Sequence, residues 1–180
     1  MNDIVEAYRK HKNLKLAADE LGIKWQTLYC QLKKVGEPIT GDKARYGSDR
    51  DRLAARAEKL FKDLVPFAVD QNAIEFQAKV DYVVCDQRVD VKASMLAKSC
   101  NRYESTRWAF SIKKQQFCAD FVVCFAFYPD SDEYKTLLIP GEMIRHCQTV
   151  SISSRGRSKW LQFLIDPLDL QEFFLNYEIF

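Results

Sequence analysis

Asp81, Asp90 and Lys92 fall within one short stretch that runs from Asp81 to Lys92. It alternates apolar and polar residues on both sides of a polar break at Asp86-Gln87, the pattern of two short antiparallel strands. With Asp86 and Gln87 as the turn, Cys85 is expected opposite Arg88, Val83 opposite Asp90 and Asp81 opposite Lys92. Opposed residues project to the same face of a sheet and side chains alternate faces along each strand. Asp81, Asp90 and Lys92 are therefore expected on one face, and Tyr82, Val84, Val89 and Val91 on the other. Two carboxylates and an ammonium beside a buried apolar face suggest a divalent-metal site. Asp-Gln is not a favoured type I′ pair, so the register rests on this turn.

The rest of the composition narrows the chemistry. There are only two histidines, His11 and His146, too few for zinc hydrolases or nucleases that use His ligands or a His base. A metal here would be held by carboxylate oxygens, which favours Mg²⁺ or Mn²⁺. The six cysteines (Cys30, Cys85, Cys100, Cys118, Cys124 and Cys147) form no C-x-x-C pair and read as reduced, buried thiols. The longest apolar run, Phe121 to Tyr128, is too short to cross a bilayer. No basic region followed by an apolar core opens the chain, so a soluble, cytoplasmic protein is expected. Residues 1–62 hold 14 Lys+Arg against 9 Asp+Glu, whereas residues 63–180 hold 13 against 16. A basic front and an acidic back suit a nucleic-acid grip joined to a metal-binding body.

The elements that must position these residues divide the chain into 1–37, a linker at 38–50, and 51–180. Apolar stripes at Ile4-Val5-Tyr8, at Leu14-Ala17-Ala18-Leu21 and at Thr27-Leu28-Leu32, with Gly22 between the last two, follow the helix-turn-helix plan. Leu14 to Gly36, with Ala17-Ala18, Leu21-Gly22-Ile23 and Thr27-Leu28-Tyr29, resembles the Fis-type helix-turn-helix units of bacteria. That resemblance implies a recognition helix presenting Lys24, Trp25, Gln26, Tyr29, Lys33 and Lys34, its first residues to base edges and the last two lysines to phosphates. A small helical module for protein contact is the alternative. Glu37 to Asp42 carries Pro38 and Gly41 and reads as linker.

Beyond it, Leu53, Ala54, Ala57, Leu60, Phe61 and Leu64 mark a helix that also carries Glu58. Phe67 to Val69 reads as a first strand. Further strands are expected at Arg107 to Ile112, Asp120 to Phe127 and Tyr134 to Ile139, with a short helix at Glu142 to Cys147. Val150 to Ser153 and Lys159 to Ile165 are expected to pair as a last hairpin. A terminal helix follows Pro167, bearing Leu168, Leu170, Phe173, Phe174 and Tyr177. The apolar run of Asp120 to Phe127 suits a strand covered on both faces.

The order helix with Glu58, strand, then Asp81…Asp90-Val91-Lys92 resembles the PD-(D/E)xK, or restriction-endonuclease-like, nuclease superfamily. Asp90 to Ser94, followed by Trp108 to Phe110, Asp120 to Val123 and Leu138 to Pro140, is similar to its intron-associated homing endonucleases. The resemblance spans roughly residues 53 to 165; Val80 stands where the superfamily often has Pro. It implies an α/β fold with a mixed central sheet flanked by helices, preceded by the all-α helix-turn-helix unit. It also implies a Mg²⁺-dependent DNA endonuclease, with Mn²⁺ able to substitute, acting on double-stranded DNA as a homodimer or higher oligomer. In that reading Asp81, Asp90, the Val91 carbonyl and Glu58 hold metal and Lys92 orients or activates water. Lys113, Lys114, Arg155 and Arg157 are further candidates for DNA contact. The alternatives are a restriction enzyme, a junction resolvase, or a regulator whose second domain only dimerises or senses.

Overall fold

The structure is a computed structural model, and it describes residues 2–74, 78–98, 105–112 and 117–177. Three helices come first: α1 (Asn2–His11), α2 (Leu14–Glu20) and α3 (Trp25–Lys34). Asn13 caps α2 by accepting the N–H groups of Lys15 and Leu16 at 3.0 and 3.2 Å, satisfying donors that a helix start leaves free. Gly22 follows α2 at φ +65, a conformation that costs glycine little, and lets Ile23 N–H return to the Ala18 carbonyl at 3.0 Å. The three helices share a core of Ala7, Tyr8, Ala17, Ala18, Leu28 and Leu32, closed by Ile39 from the following segment.

That segment is more ordered than a plain linker. Asp42 caps a single turn, α4 (Lys43–Tyr46), and α5 (Asp49–Leu64) starts on a reciprocal capping box between Ser48 and Asp51. The remaining elements are β1 (Val69–Asp70), β2 (Tyr82–Val84), β3 (Gln87–Met95), β4 (Ala97–Lys98), β5 (Thr106–Ser111), β6 (Phe121–Phe127), β7 (Tyr134–Pro140), α6 (Gly141–Ile144), β8 (Thr149–Ser153), β9 (Leu164–Ile165) and α7 (Asp169–Asn176).

The body is a mixed α/β structure in layers. Six strands form one sheet in the order β1-β2-β3-β6-β7-β9, and β4-β5-β8 form a second. The β3–β6 pair is parallel and the other pairs are antiparallel. One face of the large sheet packs on α5 and α7 through Phe61, Val89, Val91, Phe125, Leu170 and Phe174. The other packs on the small sheet through Trp108, Phe110, Val122, Cys124, Val150 and Ile152. β6, buried at every position, is the covered strand that its apolar run predicts. Among the described residues no helix is long and apolar enough to cross a membrane.

Three expectations are corrected. Val150 to Ser153 does not pair with Lys159 to Ile165. β8 instead joins β5, where Ile152 lies opposite Trp108 and Val150 opposite Phe110, burying both pairs. Lys159–Phe163 winds as a 3-10 turn, started by the Ser158 hydroxyl accepting Trp160 N–H, and only Leu164–Ile165 reaches β7. Among the described cysteines, Cys124 is buried whereas Cys30 is exposed, so buried thiols are not the rule.

Gly141 gives the first testable consequence. Its N–H donates to the Asp120 carbonyl at 2.8 Å, and a Cβ there would collide with the backbone carbonyl of Ala119. Gly141→Ala is expected to destabilise the protein by about 1–3 kcal/mol, the usual effect of forcing atoms into a filled interior. Urea unfolding measures it directly.

Candidate metal-dependent active site

The β2–β3 hairpin turns at Cys85-Asp86, not at Asp86-Gln87. Both residues take positive φ, 45 and 62, as the two central positions of a type I′ turn require. The pairs are Tyr82 with Val89, Val83 with Arg88 and Val84 with Gln87. Asp81 lies just before the paired residues, where its N–H reaches the Val89 carbonyl at 3.2 Å; this register brings its carboxyl to Asp90, with which it is in side-chain contact. The displacement preserves parity, and the faces are those the alternation predicts. Tyr82, Val84, Val89 and Val91 are buried in the helix-side core, and the three charged residues share the opposite side.

Each carboxylate is held. Asp81 Oδ2 accepts Val91 N–H at 2.8 Å, and its Oδ1 accepts Asn72 Nδ2 at 3.2 Å. Val91, expected to offer its carbonyl, thus reaches the site through its N–H. Lys92 Nζ lies 2.7 Å from Asp90 Oδ2, with side chains 24% and 18% exposed. Burial, together with hydrogen-bonding contact to the Asp81 carboxyl and against the pull of Lys92, pushes the Asp90 carboxyl up to about 6. Burial works against the Lys92 ammonium, but Asp90 and then Asp81 outweigh it, so its pKa is raised and it stays charged at neutral pH.

Glu58 reaches this edge because α5 is docked on the hairpin. Tyr82 Oη donates to the Glu58 carbonyl at 2.8 Å, and the Tyr82 and Phe61 rings lie 5.0 Å apart. Burial first, then the charges of Asp81 and Asp70, raise the Glu58 pKa, while Lys43 opposes them. The Lys43 ammonium is 3.8 Å from Glu58 Oε1. Lys43→Met is accordingly expected to raise the Glu58 pKa further, read from the side-chain carboxyl shift in an NMR titration.

Sequence reading missed Lys43, Asp70 and Asn72. They line, with Glu58, a cavity of about 300 Å³ beside the hairpin. Asp70 sits in a two-residue strand and Asn72 in the loop after it, where no periodicity marks a polar residue.

Among the described residues, no three His, Cys, Asp or Glu side chains form a ready metal cage. The donor set nevertheless fits a hard divalent ion. Asp81 and Asp90 are oxygen donors, and the Asp90 carboxyl is held in its neutral form chiefly by burial and then by the Asp81 charge, a cost that an added cation would offset. Mg²⁺ is commonly held by one or two carboxylates, water and substrate phosphate, not by a protein cage.

Of the candidate DNA contacts, Lys24, Trp25, Gln26, Lys33 and Lys34 are exposed and Tyr29 is half-buried. Arg155 and Arg157 are exposed in the turn after β8. Lys113 and Lys114 lie outside the described residues. Asp120 is held by a two-pronged ion pair, with Arg88 Nε and Nη2 donating at 3.0 and 2.8 Å. Its pKa is lowered by that contact, and it ties the start of β3 to the start of β6. No family model matches the chain, and no curated protein matches its sequence.

Proposed function

We propose that the chain is a Mg²⁺-dependent endonuclease of the PD-(D/E)xK type, site-specific on double-stranded DNA and of the homing or mobile-element kind. The observation that carries the reading is the contact of the Asp81 and Asp90 carboxyls, with Lys92 Nζ 2.7 Å from Asp90. Asp81 and Asp90 hold the ion, and Asn72 and the Val91 N–H hold Asp81. Mg²⁺ in such a site polarises the phosphoryl group and lowers the pKa of a bound water.

The residues divide the remaining work by charge. Lys92 is held protonated by its acidic neighbours, so it orients water and balances negative charge on the phosphate; it does not accept a proton. Glu58, which lines the cavity beside Asn72 and whose carboxyl burial and Asp81 hold above its ordinary pKa, is the group placed to take a proton from water. The α1–α3 unit is read as a helix-turn-helix, supported by its shared core and the exposed Lys24, Gln26, Lys33 and Lys34. Cutting both strands of a duplex calls for two such sites, hence a homodimer or higher oligomer.

The test is incubation with plasmid and genomic DNA in Mg²⁺, Mn²⁺ or EDTA. Strand breaks that need the metal support the reading. Tight binding with no cleavage under any of these conditions would replace it with that of a DNA-binding regulator.

A further inference from the structure

Three aromatic rings, Trp25, Tyr29 and Tyr46, meet around one cavity between the N-terminal helices and the segment that follows them, over the buried Tyr8. Its volume is about 560 Å³, within the range of sites for small organic ligands and cofactors. Two of the rings are held open to solvent, Trp25 at 43% and Tyr46 at 38% exposure. Trp108 and Trp160, by contrast, are only 1% and 7% exposed. Trp25, a candidate for contact with base edges, also walls this cavity together with Tyr46.

The charges around the cavity are mostly of one sign. Lys12, Lys15 and Lys43 line it, and the Lys12 ammonium lies 5.6 Å from the centre of the Tyr8 ring. The acid in the lining, Asp42, turns its Oδ1 to Arg45 N–H at 2.8 Å as a helix cap. The Tyr8 hydroxyl is likewise engaged, accepting Gly41 N–H at 3.0 Å. The lining therefore offers a visitor both aromatic rings and ammonium groups. A flat, aromatic, anionic guest satisfies both. A nucleobase carried on its phosphate backbone is such a guest, and base–aromatic stacking tolerates any base.

The position of the cavity gives the guest a purpose. Residues 40–43 and Lys12 form part of this wall and also part of the wall of the smaller cavity that contains Glu58, Asp70 and Asn72. The two spaces adjoin across that stretch of backbone. A strand with one base in the aromatic cavity passes its phosphates by Lys43, whose ammonium is 3.8 Å from Glu58.

We propose that the cavity walled by Trp25, Tyr29 and Tyr46 and edged by Lys12, Lys15 and Lys43 binds an unpaired nucleobase of a DNA strand, extruded from the duplex or already single-stranded. This rests on the reading of the chain as a DNA-acting protein and adds a recognition step to it. Extrusion costs least where the base lacks a partner, so the cavity favours distorted or bulged DNA over a fully paired duplex.

The experiment is a binding titration in EDTA with two labelled duplexes, identical except that one carries a single unpaired thymine. The full-length protein is expected to bind the bulged duplex about tenfold more tightly. Binding is also expected to quench tryptophan fluorescence, since Trp25 is the exposed indole. Tyr46→Ala is expected to remove the tenfold preference while leaving affinity for the paired duplex within about twofold. Trp25→Phe, which keeps a stacking ring, is expected to keep the preference and lose most of the quench. Equal affinity of the full-length protein for the two duplexes overturns the proposal, as does an equal loss for both in Tyr46→Ala. Because EDTA suppresses cleavage, the preference can persist in a protein that cuts nothing, which would overturn the nuclease reading alone. Failure to bind either duplex overturns both.

Discussion

Asp90→Asn is expected to lower metal-dependent strand cleavage by roughly 10³-fold or more, on the scale of removing one essential charge-stabilising group from an active site. The substitution keeps the volume and removes the charge, so lost activity reports lost chemistry and not lost packing. Lys92→Ala is expected to match it. Lys92→Arg is not expected to restore activity, because the planar guanidinium fork cannot take the place of a compact ammonium 2.7 Å from Asp90. Glu58→Gln should cost about 10²–10⁴-fold, the range of a general base. Asn72→Ala, which leaves Asp81 Oδ1 without its donor, should weaken Mn²⁺ binding by roughly 10–100-fold, as loss of a ligand's supporting hydrogen bond does. Single-turnover cleavage and Mn²⁺ titration measure these separately. Cleavage that persists in both Asp90→Asn and Lys92→Ala would move the site elsewhere.

The same aspartate is expected to weaken the metal-free protein as pH rises. Its pKa moves from 3.8 to about 6 on folding, so the folded state keeps a proton that the unfolded chain has already lost between those values. Stability therefore falls as pH climbs through that window, and the deficit is complete above it. A shift of that size corresponds to about 3 kcal/mol, or roughly 6–12 °C in Tm for a chain of this length. Asp90→Asn lacks the group and should gain that much over the parent at pH 8, with little difference at pH 4. Saturating Mn²⁺ should raise the Tm of the parent at pH 8 and barely move that of the variant. A parent that gains stability from pH 4 to pH 7 relative to Asp90→Asn would contradict the burial of Asp90, the first cause of its raised pKa, with the Asp81 charge second among those that raise it. Loss of activity with gain of stability is the trade expected where like charges are held together for function.

The hairpin illustrates how far pattern reading reaches. Alternation assigns Tyr82, Val84, Val89 and Val91 to the core because burial follows side-chain parity. It cannot choose between a turn at Cys85-Asp86 and one at Asp86-Gln87, since both keep that parity. The choice belongs to backbone conformation: Asp86 is central to either turn, and it is Cys85, not Gln87, that joins it at positive φ, which residue type alone does not decide. That single step decides whether Asp81 meets Lys92 or Asp90. β6 was legible because a strand covered on both faces needs no partner to reveal it. The strand at β8 was legible but its partner was not, because its five residues could serve any neighbouring strand and Trp108 lies opposite them from far along the chain. Lys43, Asp70 and Asn72 were invisible for a related reason. Polar residues in turns and short strands carry no period, and only the fold brings them beside Glu58.

The two short strands that end the large sheet bear on how copies of this chain can meet. β1 and β9 are two residues each, whereas the strands between β2 and β9 run to nine residues. Such stubs give an incoming strand almost nothing to hydrogen-bond, a common guard against edge-to-edge growth. In the small sheet the longer outer strand, β8, runs on into Ser154 and then the exposed Arg155 and Arg157, whose like charges repel a second copy laid alongside. A second copy of the chain would therefore meet the first through helices or loops more readily than through these sheet edges.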